Sequence, residues 1–393
     1  MKKIPNVHNN WDPLKEIWLG DVWPSHFYDD IEDQAVRDIF YQITEWTKED
    51  LNNIQKKFES FGVVVKRPDV SGPKERYLIN ANRLQQSKAG LNLLKPPITP
   101  RDSISVIGNK LYFNPEYEYQ CYKNLLDEFE PESVIRSGPS AVAGPGGASL
   151  VKLGKDLIID EFIPNIADIK RKNPIEALRL ERQNALNSYT KFHHYNKLLG
   201  NDYRLHFATQ GGHCDGCFMP LRFGLLLTTG YYKDYEYLFP DWKKINISQP
   251  TYAHKYMYRP PEWRWNIPSL QAPPHFNSYI EKYCSDWIGN FTETYFEVNI
   301  VMIDEKNLIC IGTNDKLFDE LEKEGITCHV VPFRTRTFWD GGMHCITLDT
   351  IRDSKIIDYY PERGNVGIKN IYSQSFDYST EKYMAAYREA NKL

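Results

Sequence analysis

The chain has 393 residues, 41% of them apolar and 25% charged, which is enough apolar material for a large buried core and rules out wholesale disorder. Its 48 basic and 52 acidic side chains leave a net charge of -4, without the positive field that a general nucleic-acid or membrane-surface binder needs. No stretch approaches the roughly 18 consecutive apolar residues of a membrane-spanning helix, and the opening MKKIPNVH has no apolar signal-peptide core, so a cytoplasmic protein is expected.

Along the chain, Glu16–Gly20 reads as a short strand in need of a partner. Val36, Ile39, Phe40, Ile43, Leu51, Ile54 and Phe58 fall at spacings of three, four, seven or eight, one face of a helix that Gly62 stops. Ile104–Phe113 (ISVIGNKLYF) and Ser149–Ile159 (SLVKLGKDLII) are apolar runs broken by Gly-Asn-Lys and Gly-Lys-Asp, turn chemistry that predicts hairpins. Asn173-Pro174 opens a helix that runs to Leu199 and ends at Gly200. Phe218–Thr228 (FMPLRFGLLLT) and Asn299–Ile311 (NIVMIDEKNLICI) repeat the hairpin pattern. Asp315 can cap a short helix carrying Leu317, Phe318 and Leu321 and closed by Gly325. His344–Ile351 is the remaining strand, and it can pair with Glu16–Gly20. Strand pairs alternating with helices, none able to bury its apolar faces by itself, predict a closed radial α/β repeat folding as one unit over residues 1–393.

Residues 230–265 depart from the repeat, being crowded with Tyr, Trp, Pro, Lys and Arg. Aromatics interleaved with cations can stack single-stranded nucleic acid, but Asp234, Glu236, Asp241 and Glu262 dilute the charge. The segment is read as an ordered loop insertion bordering a pocket.

Three features carry chemistry. Cys345, in DGGMHCITLD, follows a double glycine that lets backbone approach closely, at the start of a predicted strand. A packed, inert thiol is the ordinary reading of a single cysteine, and the glycines and His344 shift that balance without deciding it. His213 and Asp215, in GGHCDGCF, are two apart just before a hairpin; on a strand they would share a face, combining a proton shuttle with an acceptor for a cation. Cys214 and Cys217 form a CxxC, but no second CxxC or HxxxH supplies a zinc set, and the odd total of seven cysteines is no disulfide framework. With no phosphate loop, dinucleotide fingerprint or nucleophile-elbow serine, cofactor-free and metal-free Cys/His chemistry is the economical enzymatic reading.

These residues resemble the amidinotransferases, within the guanidine-modifying superfamily that also holds arginine deiminase. Trp11–Gly20 (WDPLKEIWLG), Pro100-Arg-Asp102 with Val106–Asn109, His213-Cys-Asp215, Asn299 with the Asp304-Glu-Lys306 turn, and Gly341–Cys345 with Thr347 and Asp349 appear in the family's order from residue 11 to about 352. The resemblance implies a five-bladed, pseudo-symmetric α/β propeller of ββαβ modules. It implies that Cys345 attacks a guanidinium carbon, that His213 protonates the departing amine and deprotonates the acceptor, that Asp215 holds the guanidinium, and that Asp102 and Asn299 contact substrate. Partners would be a small guanidino donor and an amine acceptor, and a homodimer is compatible with it. The sequence departs from the family at three places: Ser149 stands where an Asp is expected, Tyr232 where an Arg binds substrate carboxylate, and Glu297 where a pocket Ser lies. Glu297 is therefore expected to offer a relocated carboxylate. The superfamily's hydrolases are a second reading, and a non-catalytic binding member, motivated by Ser149, a third.

Overall fold

Each apolar strand pair in the sequence leaves one parallel edge open, and the chain closes that edge the same way five times. The computed structural model describes residues 2–78, 95–114, 119–137, 143–160, 173–209, 213–229, 235–247, 267, 270–284, 287–288 and 297–373. Strand β1 (Leu14–Leu19) is followed by the helix Gln34–Glu59 and by β2 (Val64–Lys66), which pairs parallel to β1. β3 (Ile104–Ile107) and β4 (Lys110–Phe113) form a hairpin, and the helix Tyr119–Leu126 returns the chain to β5 (Val134–Arg136), parallel to β4. The hairpin of β6 (Leu150–Leu153) and β7 (Asp156–Asp160) is completed through the helix Pro174–Leu199 by β8 (Arg204–Thr209). β9 (Phe218–Arg222), β10 (Leu225–Thr228) and β11 (Lys243–Asn246), then β12 (Val301–Asp304), β13 (Asn307–Cys310) and β14 (Thr327–Val330), repeat the plan. β15 (Thr347–Arg352) lies antiparallel to β1, so the first and last parts of the repeat share one sheet and the circle of modules closes.

All four expected hairpins and the β1–β15 pairing form. Asp33 and Asn173 cap the two long helices, their side chains accepting from the N–H groups of Val36 and Glu176. The short helix Asp315–Lys323 is capped by Asn314, not by Asp315. Asn314 holds the extended backbone that a cap requires, and Asp315, one residue in, complements the positive end of the helix. Two further differences concern the sheets. Within the segment read as an insertion, Tyr235–Leu238 is helical and Lys243–Asn246 is β11, the third strand of its own module; local crowding with aromatics hid an ordinary ββαβ unit. β16 (Gly367–Ser373) adds a fourth strand parallel to β8, unforeseen because a lone strand without a turn partner leaves no hairpin signal.

The hairpin turns lie at the end of the molecule opposite the starts of β3, β6, β9, β12 and β15. Residues 3–12 run along that turn end: Val7 pairs with Gly108, and the Gly154 N–H donates to the His8 carbonyl (3.1 Å) and to Asn9 Oδ1 (2.9 Å). Both glycines have positive φ, and a Cβ on Gly154 would sit 2.0 Å from the Ile357 carbonyl oxygen, so only glycine fits there. Alternate residues of each strand face opposite neighbours. Val151, Leu153 and Ile158 pack with Cys214 and the β9–β10 hairpin, whereas Leu150, Leu157 and Ile159 pack under Phe192, Tyr195 and Leu199 of the long helix.

Candidate active site

Because each module enters its first strand at the same end, five short segments converge there: Arg101-Asp102, Ala148-Ser149, Cys214-Asp215, Asn299 and His344-Cys345. They join one another in a closed circuit of hydrogen bonds. The Ala148 N–H donates to the Arg101 carbonyl (3.0 Å) and the Asp215 N–H to the Ala148 carbonyl (3.2 Å). Asn299 Nδ2 donates to the Asp215 carbonyl (3.4 Å), and the His344 N–H to Asn299 Oδ1 (2.9 Å). Arg101 Nε returns to the carbonyls of His344 and Thr347, both at 2.8 Å. The glycines let these segments meet. A Cβ on Gly342 would lie 2.4 Å from Asn299 Oδ1, and one on Gly146 the same distance from the Asp102 carbonyl oxygen.

Cys345 lies within this circuit and is almost wholly buried. Asn299 holds it at both ends: Nδ2 donates to the sulfur (3.0 Å), and Oδ1 accepts from the Cys345 N–H (3.1 Å). The thiol donates toward Asp215 Oδ2 at 3.5 Å, and the same oxygen accepts from His344 Nδ1 at 2.7 Å. A carboxylate, a thiol and an amide thus share one buried space. The arrangement can hold a planar cation against sulfur, since a carboxylate accepts from guanidinium N–H groups.

A second layer of charge lies behind the cysteine. Asp349 accepts from Arg101 Nη2 (2.7 Å) and Arg352 Nε (2.9 Å), with Lys152 Nζ at 3.6 Å. Burial pushes the Lys152 amine down to about 8 against the attraction of Asp349, while the three cations hold the Asp349 carboxyl well below the usual range despite its burial.

Burial, reinforced by Arg101, holds His344 well below the ordinary histidine value. At the turn end, burial also lowers His206, against the pull of Asp156 at 2.7 Å. Below about pH 6.5 the unfolded chain protonates both histidines while the folded chain does not. The stability present above that value is therefore lost as pH falls, by about 1.4 kcal/mol per pH unit per histidine until the folded chain protonates too. Urea midpoints should drop between about pH 7.5 and 5.5, and His206→Gln should drop less; a midpoint independent of pH over this window would contradict the assignment.

Of the residues expected from sequence, Cys345, Asp215 and Asn299 come together directly. Asn299, expected to contact substrate, grips Cys345 through both ends of its amide. His213, half-buried, precedes the 3-10 turn Cys214–Gly216, so the reading of His213 and Asp215 as strand neighbours on one face is corrected. The turn rather than a strand brings Asp215 back to the cysteine. Ser149 stands at the start of β6, its carbonyl accepting from the Cys214 thiol (3.5 Å). Asp102 is partly exposed with Lys95 Nζ at 3.5 Å. Glu297 is buried near Cys310, whose thiol burial and neighbouring negative charge push up to about 12. Tyr232 lies outside the described residues. Among the described residues no disulfide joins any of the seven cysteines, Cys214 and Cys217 included, and there is no group of three or more ligands suited to a metal. Sequence reasoning missed His344 as the partner of Asp215 and Arg101 as the clamp on the Cys345 loop. Their adjacency to Cys345 and Asp102 was the available signal.

No family model matches the chain. It is 24% identical over 395 residues to inosamine-phosphate amidinotransferase 1 of Streptomyces griseus, covering 90% of this chain and 98% of the relative. It is 22% identical to the mitochondrial glycine amidinotransferase of Xenopus laevis, covering 90% and 84%. Among solved structures, an amidinotransferase of the saxitoxin biosynthetic pathway from Microseira wollei superposes with a TM-score of 0.58 at 18% identity, over 90% of this chain and 99% of that one. The Streptomyces griseus inosamine-phosphate amidinotransferase gives 0.57 at 19%, over 91% and 99%. The chain is thus a distant relative of amidinotransferases and shares the fold of the two solved ones, five α/β modules closed in a circle. No helix among the described residues is long and apolar enough to cross a membrane.

Proposed function

We propose that this chain is an amidinotransferase, moving the amidino group of arginine or a related guanidino donor to an amine through an amidino-Cys345 intermediate. The observation that carries this reading is the Cys345 sulfur held between Asn299 Nδ2 (3.0 Å) and the Asp215 carboxylate (3.5 Å), two residues from His213. The guanidinium docks on Asp215, and its positive charge beside the sulfur favours the thiolate. The Cys345 sulfur bonds to the guanidino carbon as the carbon–nitrogen bond to the departing amine breaks, with His213 giving that amine its proton. An acceptor amine then loses a proton to His213 and attacks the same carbon, and the carbon–sulfur bond breaks to return the thiolate. Asn299 and the Arg101 clamp keep sulfur and loop in place. Asp102 meets substrate amino groups, and Ser149 and Glu297 shape the pocket for donor and acceptor.

Intact-protein mass spectrometry after incubation with arginine or agmatine tests this. Mass corresponding to one amidino group should appear on the chain and be absent from Cys345→Ala. Adding candidate amines should then discharge it into a new guanidino product. Donor consumption that proceeds undiminished without any amine would convert the assignment to a hydrolase, and no adduct or turnover across a guanidine panel would favour a binding protein.

A further inference from the structure

A buried carboxylate at the site end of β7 has no part in the chemistry described so far. Asp160 is 4% exposed. It is the last residue of β7, and its N–H donates to the Ser149 carbonyl at 2.7 Å. The β6–β7 register pairs Leu150 with Ile159, so Ser149 and Asp160 are the next cross-strand pair. Directly opposed residues carry their Cβ atoms on one face, roughly 5 Å apart.

The neighbours identify that face. Alternation groups Ser149 with Val151 and Leu153, and Asp160 with Ile158, and these three apolar residues belong to the same core cluster as Cys214. Ile159 and Leu157 point the other way, under the helix Pro174–Leu199. Asp160 therefore turns its side chain toward the segment His213–Asp215 rather than toward the helix. The Cys214 thiol, at this edge of the sheet, agrees with that direction. It donates to the Ser149 carbonyl, and burial first, then the negative charge of Asp160, raises that thiol well above its ordinary value.

We propose that Asp160 is a specificity-determining residue that supplies, from the strand beside Ser149, a carboxylate for the guanidino donor on the His213 side of the pocket. A guanidinium presents five N–H donors in a plane, and a hydroxyl at position 149 offers no charge to meet them. Asp215 engages one edge, and a second acid on the His213 side would complete the set. Glu297, the acid that sequence analysis favoured for this task, is also buried, and the test below separates the two acids. The inference rests on the functional reading above and deepens it.

The test compares the donor concentration giving half-maximal Cys345 adduct, using arginine and agmatine as probes, in the parent chain and in Asp160→Asn, Glu297→Gln and the double variant Ser149→Asp/Asp160→Asn. Asp160→Asn should raise half-saturation about ten- to a hundredfold, the loss of one charged hydrogen bond. The double variant should recover most of the loss, which a purely structural role for Asp160 would not produce. Should Asp160→Asn not fold, Asp160→Glu keeps the charge but moves it by one methylene, and it should shift half-saturation by several-fold; an unchanged value overturns the proposal. A reactive parent with an equally reactive Asp160→Asn overturns this inference but leaves the functional reading intact, most plainly if the loss falls on Glu297→Gln. A parent that takes up no amidino group overturns the functional reading and this inference together.

Discussion

Asp349→Ala should destabilise the chain by about 3–5 kcal/mol, the cost of breaking a buried ion pair from one side, and most of the protein should be lost from the soluble fraction. Asp349 is 1% exposed and faces Arg101, Arg352 and Lys152, themselves 1%, 2% and 3% exposed. Without the acid, three cations share a space closed to water, each losing its neutralising partner. Lys152 can shed its proton, since burial already brings its amine down to about 8. The guanidinium groups of Arg101 and Arg352 cannot. The damage should also reach the site, because Arg101 Nε fixes the carbonyls of His344 and Thr347 on either side of Cys345. Asp349→Asn keeps the shape and two acceptor lone pairs while removing the charge. It should fold at lower stability and form the Cys345 adduct more slowly. Urea denaturation is the measurement, and an Asp349→Ala midpoint equal to that of the parent would refute the role given to this cluster.

The propeller was legible in the sequence because its signals are local. Apolar runs broken by Gly108 or Gly154 announce a hairpin within about ten residues, and Asn173-Pro174 with Gly200 brackets a helix by itself. Even the β1–β15 pairing followed, as two strands left without partners. What escaped was whatever depends on distant register. β16 joins β8 at a separation of more than 150 residues with no turn between them. The helix and strand at 235–247 were masked by the aromatic composition around them. The choice between Asn314 and Asp315 as a cap turned on one residue's backbone angles.

The site divides along the same line. Cys345, Asp215 and Asn299 were visible because glycine pairs and polar residues at strand starts stand out against apolar runs. Their mutual arrangement was not, since Asn299 meets Cys345 across 46 residues and Arg101 meets Asp349 across 248. Sequence logic placed His213 and Asp215 on one face of a strand, whereas the 3-10 turn at Cys214–Gly216 sets their relation. The cross-strand neighbour of Ser149 became apparent only from the β6–β7 register.

Asp215→Ala should slow formation of the Cys345 adduct by about 10²–10⁴-fold, the span expected when an aligned charged or proton-transferring group leaves a reacting site. Its Oδ2 accepts from both His344 Nδ1 and the Cys345 thiol, so the substitution removes the proposed anchor for the guanidinium and strands a buried imidazole N–H. That second effect is structural and would lower stability by about 1–3 kcal/mol. Asp215→Asn separates the two. The amide oxygen can still accept from His344 and the backbone N–H still reaches the Ala148 carbonyl, so stability should stay near that of the parent. The charge that attracts a guanidinium is gone, so adduct formation should still fall at least about a hundredfold. The loss should appear in half-saturation as well as in the maximal rate, because in the proposed mechanism one carboxylate both binds the donor and keeps its carbon against sulfur. If Asp215→Asn captures the amidino group at the parent's rate, Asp215 serves to orient His344, and the guanidinium must be held by other acids of the pocket.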